Sequence, residues 1–227
     1  MGLDMGLYKA PRYKDATIKD VFAIESYFHW KRVKEEGSKY ANCTLEQWCG
    51  VKWEDVPGKE YRDFYSKFNV FRYPSWDKDK RYGSVGIVED VGYWRKANAI
   101  HKWFVDNVQD GIDDCDYHNE VTKEILEDLL DTCEKVIANS KLIDGKIVNG
   151  YTFDSNMNKV YNWQDGKVIE NPRVAQALLP TQEGFFFGSY DYDEWYLRDI
   201  QDTINIITRV LETTDFENEM IYYSSSW

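Results

Sequence analysis

Two long amphipathic segments constrain this chain most, together with the stretch that separates them. Between residues 121 and 138, Ile125, Leu129, Cys133 and Val136 interleave with Leu126, Leu130 and Ile137 to give a broad apolar face at helical spacing. From about Asp193 to Glu212, Trp195, Ile200, Ile204, Ile207, Val210 and Leu211 repeat the pattern. The interval 141–171 does not share it. There Asn149-Gly150 lies between Lys146-Ile147-Val148 and Tyr151-Thr152-Phe153, and Gln164-Asp165-Gly166 lies between two further β-prone runs. These are hairpin signals. Helices in blocks with hairpins between them predict α+β, or mixed α/β, with a mixed and largely antiparallel sheet.

Shorter elements fill in the remainder. Thr17 opens a helical segment reaching Glu36, and Gly37 supplies a stop. Thr44-Leu45-Glu46-Gln47 has the form of a capping box, closed by Gly50. A helix is expected over 59–68, and a short one from Pro172 to Leu178. Strands are expected at 3–9, 69–73, 85–88, 184–188 and 220–223, all able to share one sheet. The run Asp77-Lys78-Asp79-Lys80-Arg81 reads as a polar surface loop, with a lid as the minority reading. Asp110-Gly111-Ile112-Asp113-Asp114-Cys115-Asp116 reads as an exposed acidic loop, because it lacks the alternation and closing Glu of a calcium loop. A chain of 227 residues is most simply one domain, 1–227, with 141–171 as an inserted β-hairpin unit.

The stretch with most chemistry is Gly92-Tyr93-Trp94-Arg95-Lys96-Ala97-Asn98-Ala99-Ile100-His101-Lys102-Trp103-Phe104. It reads as a helix following a short strand. Tyr93, Ala97, Ile100, Phe104 and Val108 form an apolar stripe, and Trp94, Arg95, Asn98, His101 and Lys102 crowd a second face. Such a set suits a ligand with a flat ring and negative charge: Arg offers a planar fork, Lys a point charge and Trp a stacking face. The bland alternative is a mixed polar face with buried tryptophans. A second aromatic and acidic group, Tyr190, Asp191, Tyr192 and Trp195, with Ser189 and Asp193 beside it, lies between the expected strand Gly184-Phe185-Phe186-Phe187-Gly188 and the last helix. Its acids suit ribose hydroxyls or base amines; pairing with Arg95 and Lys102 is the structural alternative, equally weighted.

Gly92–Phe104, followed by Val105-Asp106-Asn107-Val108-Gln109-Asp110-Gly111, resembles the hallmark of a family of uncharacterised bacteriophage proteins. Met1-Gly2-Leu3-Asp4-Met5, Gly184–Tyr196 and the closing Ser224-Ser225-Ser226-Trp227 are similar to it as well, so the resemblance runs end to end. One departure is Gly6, where the family is expected to carry a bulky residue. The resemblance implies a phage-encoded protein working in the cytoplasm of an infected bacterium, a setting in which phages deploy proteins that sequester nucleotide signals of host defence.

Composition narrows the classes. Nine Trp and 17 Tyr exclude a disordered chain and suit either pockets or an aromatic core. A net charge of −12 argues against gripping duplex nucleic acid, though not against a small anion held by a few local cations. It also fits an acidic surface that occupies a host defence protein. No signal peptide, membrane-length apolar run or myristoylation motif is present, and Cys43, Cys49, Cys115 and Cys133 lack zinc spacing. No P-loop, dinucleotide fingerprint, nucleophile elbow or zincin motif occurs. The expected function is therefore sequestration of a small nucleotide-type immune signal, with no cofactor, metal or catalytic residue assigned. The alternatives are an acidic protein-binding inhibitor of a host defence protein and a nucleotide-processing enzyme; homo-oligomerisation is left open.

Overall fold

The computed structural model describes residues 2–37, 42–72, 84–115, 119–184 and 187–227. Among them the chain forms β1 (Asp4–Pro11), α1 (Ile18–Glu35), α2 (Leu45–Cys49), α3 (Lys59–Tyr65), β2 (Phe71–Arg72), β3 (Ser84–Val85), β4 (Glu89–Arg95) and α4 (Asn98–Val108). It continues with β5 (Asn119–Val121), α5 (Lys123–Ala138), β6 (Leu142–Phe153), β7 (Lys159–Ile169), α6 (Arg173–Leu178), α7 (Glu194–Thr213) and β8 (Glu219–Ser226). The fold is α+β with antiparallel sheets. The main sheet has the order β4-β1-β8-β5, so strands from opposite ends of the chain form its centre. The strands expected at 69–73 and 85–88 do not join it: β2 and β3 pair only with each other, Phe71 opposite Val85. No strand forms at Gly184, Phe187 or Gly188; Phe185 and Phe186 lie outside the described residues, as does the expected loop 77–81.

The chain packs as two compact units: residues 1–7, 91–214 and 223–227, and residues 8–90 and 215–222. The second unit is built around α1. Thr17 caps it with a full capping box: its side chain accepts from the Asp20 N–H, and the Asp20 carboxylate accepts from the Thr17 N–H at 2.7 Å. Ile18, Val21 and Ile24 are buried with Tyr65, Ile87 and Tyr222. Glu25, which interrupts the apolar stripe, accepts hydrogen bonds from the N–H groups of Ile87 and Val88, both at 2.8 Å. Thr44 likewise caps α2, and Gly50 ends it with φ +73°, as its sequence requires.

In the first unit α5 and α7 pack together. Leu126, Leu129, Cys133 and Val136 are fully buried on one side, and Ile200, Thr203, Ile207 and Val210 on the other. Burial pushes the Cys133 thiol up to about 12, which keeps it unreactive. The two hairpins expected in 141–171 are one. β6 and β7 pair from Leu142 opposite Ile169 to Phe153 opposite Lys159, with a register shift between Val148 and Tyr151. Gly150, at φ +77°, sits in that shift. A bulge and a tight turn both need a left-handed residue, so Asn-Gly alone does not separate them. The reversal falls instead at 154–158, where Asp154 Oδ1 accepts from the N–H groups of Asn156 and Asn158.

The largest correction concerns 92–104. Residues up to Arg95 are strand, with Gly92 and Trp94 buried and Tyr93 and Arg95 exposed, the period-2 alternation of a pleat. Lys96 continues the pairing by donating its N–H to Leu3 O at 2.8 Å, then turns the chain at φ +63°. Only Ala97, Ile100, Phe104 and Val108 of the expected stripe are buried; Tyr93 is 60% exposed. Gly92 is required by packing: a Cβ there would lie 2.7 Å from Ile206 Cγ2 of α7. Gly92→Ala is expected to destabilise the protein by about 1–3 kcal/mol through overpacking, read as a lower urea midpoint with unchanged m-value.

Candidate ligand cleft at the start of α4

The strand-to-helix junction builds one wall of a cleft of about 250 Å³ within the first unit. Arg95 ends β4, Lys96 makes the turn, and α4 begins without a side-chain cap at Ala97. The N–H groups of Ala99 and Ile100, both lining the cleft, therefore have no intrahelical acceptor. The side chain of Asn98 is fully used elsewhere. Its Nδ2 donates to Phe187 O and Ser189 O at 3.1 and 2.8 Å, and its Oδ1 accepts from the Gln182 N–H at 3.2 Å. It stitches residues 182–189 to α4 and holds Gly188 and Ser189 in the lining.

The opposite wall is the first two turns of α7. Asp193 caps that helix: its Oδ1 accepts from the N–H groups of Trp195 and Tyr196 at 2.9 and 3.0 Å. Its Oδ2 has no partner among the described residues although the residue is only 1% exposed. Burial raises its pKa and the two backbone hydrogen bonds work against that. Asp199, half-buried further along α7, has its carboxyl pushed up to about 7 by burial and then by Asp202 and Asp193. Tyr196 donates its hydroxyl to Leu179 O at 2.9 Å and closes the apolar base. Asp191 and Trp195 stand at the rim, Trp195 49% exposed.

Of the nine residues singled out from sequence, Arg95, Asn98, Asp191 and Trp195 line this cleft. The other five lie elsewhere. Trp94 is buried and its Nε1 donates to Thr203 Oγ1 at 2.9 Å, because on a strand it points into the core rather than along a helix face. Lys102 forms an i,i+4 ion pair with Asp106 at 2.8 Å. Tyr190 bonds through its hydroxyl to the backbone of Gly184, and Tyr192 accepts from the Thr181 N–H.

His101 is fully buried, with Nδ1 2.7 Å from the Tyr223 hydroxyl and Nε2 3.0 Å from Asp113 Oδ1. Burial lowers its basicity and Asp113 partly restores it. Asp113 also accepts from Gln182 Nε2 at 2.8 Å and Trp227 Nε1 at 3.0 Å, so the expected acidic loop has one acid turned inward as a hub. Sequence reasoning left Lys96 and Asp199 outside the site. Asp199 was detectable as a polar residue one position before the apolar Ile200, and Lys96 as a cation beside Arg95 in the first turn of the expected helix, where it opposes the helix dipole unless an anion joins it.

Among the described residues no group of three or more metal-ligating side chains gathers, and no helix is long and apolar enough to cross a membrane. Comparison with protein-family models, curated proteins and solved structures returns no match.

Proposed function

We propose that this protein sequesters a small nucleotide-type signalling molecule, in keeping with the phage anti-defence role that its motifs imply. One observation carries the reading: cations and carboxylates line the same cleft without neutralising one another. Arg95 has only a distant contact with Asp4, at 4.0 Å, and neither Arg95 nor Lys96 pairs with Asp191, Asp193 or Asp199 among the described residues. Opposite charges held apart across a small cleft suit a ligand that carries both an anion and hydrogen-bond donors. The uncapped first turn of α4, flanked by Arg95 and Lys96, suits a phosphate. Trp195 at the rim offers a stacking face.

The test is to incubate the protein with nucleotide extract from cells whose defence has been triggered, release what binds by heating, and weigh it by mass spectrometry. Wild type is expected to return an intact nucleotide. Arg95→Ala and Lys96→Gly are each expected to return about 10-fold less or lower, the loss of one charge-assisted contact. Lys96→Gly also relieves a left-handed backbone, so it is expected to melt no lower than wild type while binding worse. Lys102→Ala is expected to bind as wild type, since Lys102 is held by Asp106 outside the cleft. Equal recovery from wild type and both cleft variants would sink the reading, and a cleaved product would move it to an enzyme.

A second reading, a protein-binding inhibitor, is favoured by the β6–β7 hairpin. Tyr151, Phe153, Tyr161 and Trp163 are 40–61% exposed there. A host protein retained by wild type and lost on Tyr161→Ser with Trp163→Ser would support it.

A further inference from the structure

We infer that the α7 wall of the cleft is a donor-recognition subsite, in which Asp193 Oδ2 and the Asp199 carboxyl accept N–H groups from the ligand's base, so that the ligand is a phosphorylated purine with an amino-bearing edge. This rests on the nucleotide reading above and names the class of nucleotide. The carrying observation is the Asp193 side chain. It is 1% exposed and lines the cleft, yet only one of its oxygens is used; Oδ2 is an acceptor with nothing to accept from. A buried acceptor without a donor is unfavourable, and each one calls for an explanation. The helix cap fixes which oxygen is spare: Oδ1 is locked onto the N–H groups of Trp195 and Tyr196, and Oδ2, on a residue that lines the cleft, is left without a donor among the described residues.

Asp199 is the second acceptor. It lines the same cleft, interacts electrostatically with Asp193, and its carboxyl has no hydrogen-bond or ion-pair partner among the described residues. Arg198, its neighbour in sequence, stands over the Trp195 ring. Ionised carboxylates offer acceptors and no donor, and the complement of two on one wall is an edge with adjacent N–H donors. The ring N–H and exocyclic amine of a guanine-type base supply that edge. The phosphate of the same molecule reaches the opposite wall, where α4 begins. A ligand with donors would also relieve the repulsion between the two carboxylates, which raises their shared preference for such an edge over a plain sugar phosphate.

The test is titration calorimetry of the full chain with guanosine 5′-monophosphate, inosine 5′-monophosphate and ribose 5-phosphate. The first two differ only in the exocyclic amine, and the third lacks a base. Wild type is expected to bind the guanosine compound at least 10-fold more tightly than the inosine compound. Asp193→Asn and Asp199→Asn are each expected to reduce that ratio to within twofold while ribose 5-phosphate binds as in wild type. Asparagine still caps α7 through its oxygen, which forces its NH₂ into the place of Oδ2; a thermal melt confirms the fold. A guanosine-to-inosine ratio near one in wild type, or a ratio that survives both substitutions, would overturn the donor subsite. If ribose 5-phosphate still binds in that case and is lost in Arg95→Ala, the anion end stands without the subsite. Absence of binding by all three compounds would overturn both.

Discussion

Replacing Asp113 by alanine is expected to lower stability by about 2–4 kcal/mol, because it leaves a buried imidazole N–H without an acceptor and removes two further hydrogen bonds. In a chain of this size that is a fall in melting temperature of about 5–15 °C. The Asp113 carboxylate can only accept, so Nε2 carries the proton, and the unprotonated Nδ1 accepts from the Tyr223 hydroxyl. His101 is wholly enclosed, with Phe187 edge-on at 5.4 Å, so its Nε2–H relies on Asp113 for an acceptor. The same substitution frees Gln182 Nε2 and the Trp227 indole. Asp113→Asn retains one acceptor and is expected to lose less than half as much.

The geometry also sets a pH response. Burial holds the His101 pKa below its ordinary value, so as pH falls through the usual histidine range the unfolded chain takes up a proton that the folded chain refuses. The stability contributed by the neutral imidazole is complete above that range and is lost progressively below it. Urea midpoints between pH 5 and pH 8, for wild type and Asp113→Ala, measure both effects.

Asp199→Asn is expected to act in the opposite direction, stabilising the protein by about 1–3 kcal/mol at pH 8 after allowance for partial solvent exposure. An ordinary aspartate ionises near 3.8, whereas Asp199 is pushed up to about 7. Between those values the folded protein holds a proton that the unfolded chain has released. Stability therefore falls as pH rises from about 4 to about 7 on this group's account, and above 7 folding carries the full penalty of an ionised, half-buried carboxylate beside Asp193 and Asp202. Asparagine removes the charge and with it that slope. Thermal melts from pH 4 to pH 8 would show the two proteins converging in acid and separating in base; a constant offset would show that the carboxylate is not the cause. A more stable variant that has lost base discrimination would be a trade of stability against function.

What was legible in the sequence depended on the range of the interaction. Thr17, Thr44 and Asp193 cap helices, and Gly50 ends one, because these residues act on backbone groups within four positions of themselves. The apolar periodicity of α5 and α7 survived for the same reason. Helix and strand became confused where both periods fit. Trp94, Asn98 and His101 satisfy an i, i+4, i+7 reading, but Trp94 is buried by the alternation of β4 and its indole is satisfied by Thr203, over a hundred residues away. Asn149-Gly150 supplied the left-handed residue foreseen, and only pairing across the hairpin made it a bulge.

The candidate site divides in the same way. Sequence alone determined that Arg95 and Asn98 lie near one another, that Asp191 and Trp195 lie near one another, and that the chain alternates blocks of helix and strand. It could not determine that these two segments share a cleft, that His101 and Lys102 are excluded from it, or that Asp193 keeps a spare oxygen there. Those facts belong to the tertiary structure, since a side chain's burial and its unmet hydrogen bonds are set by neighbours distant in sequence. Periodicity says which face of an element is apolar, but only packing says which polar atom is left inside without a partner.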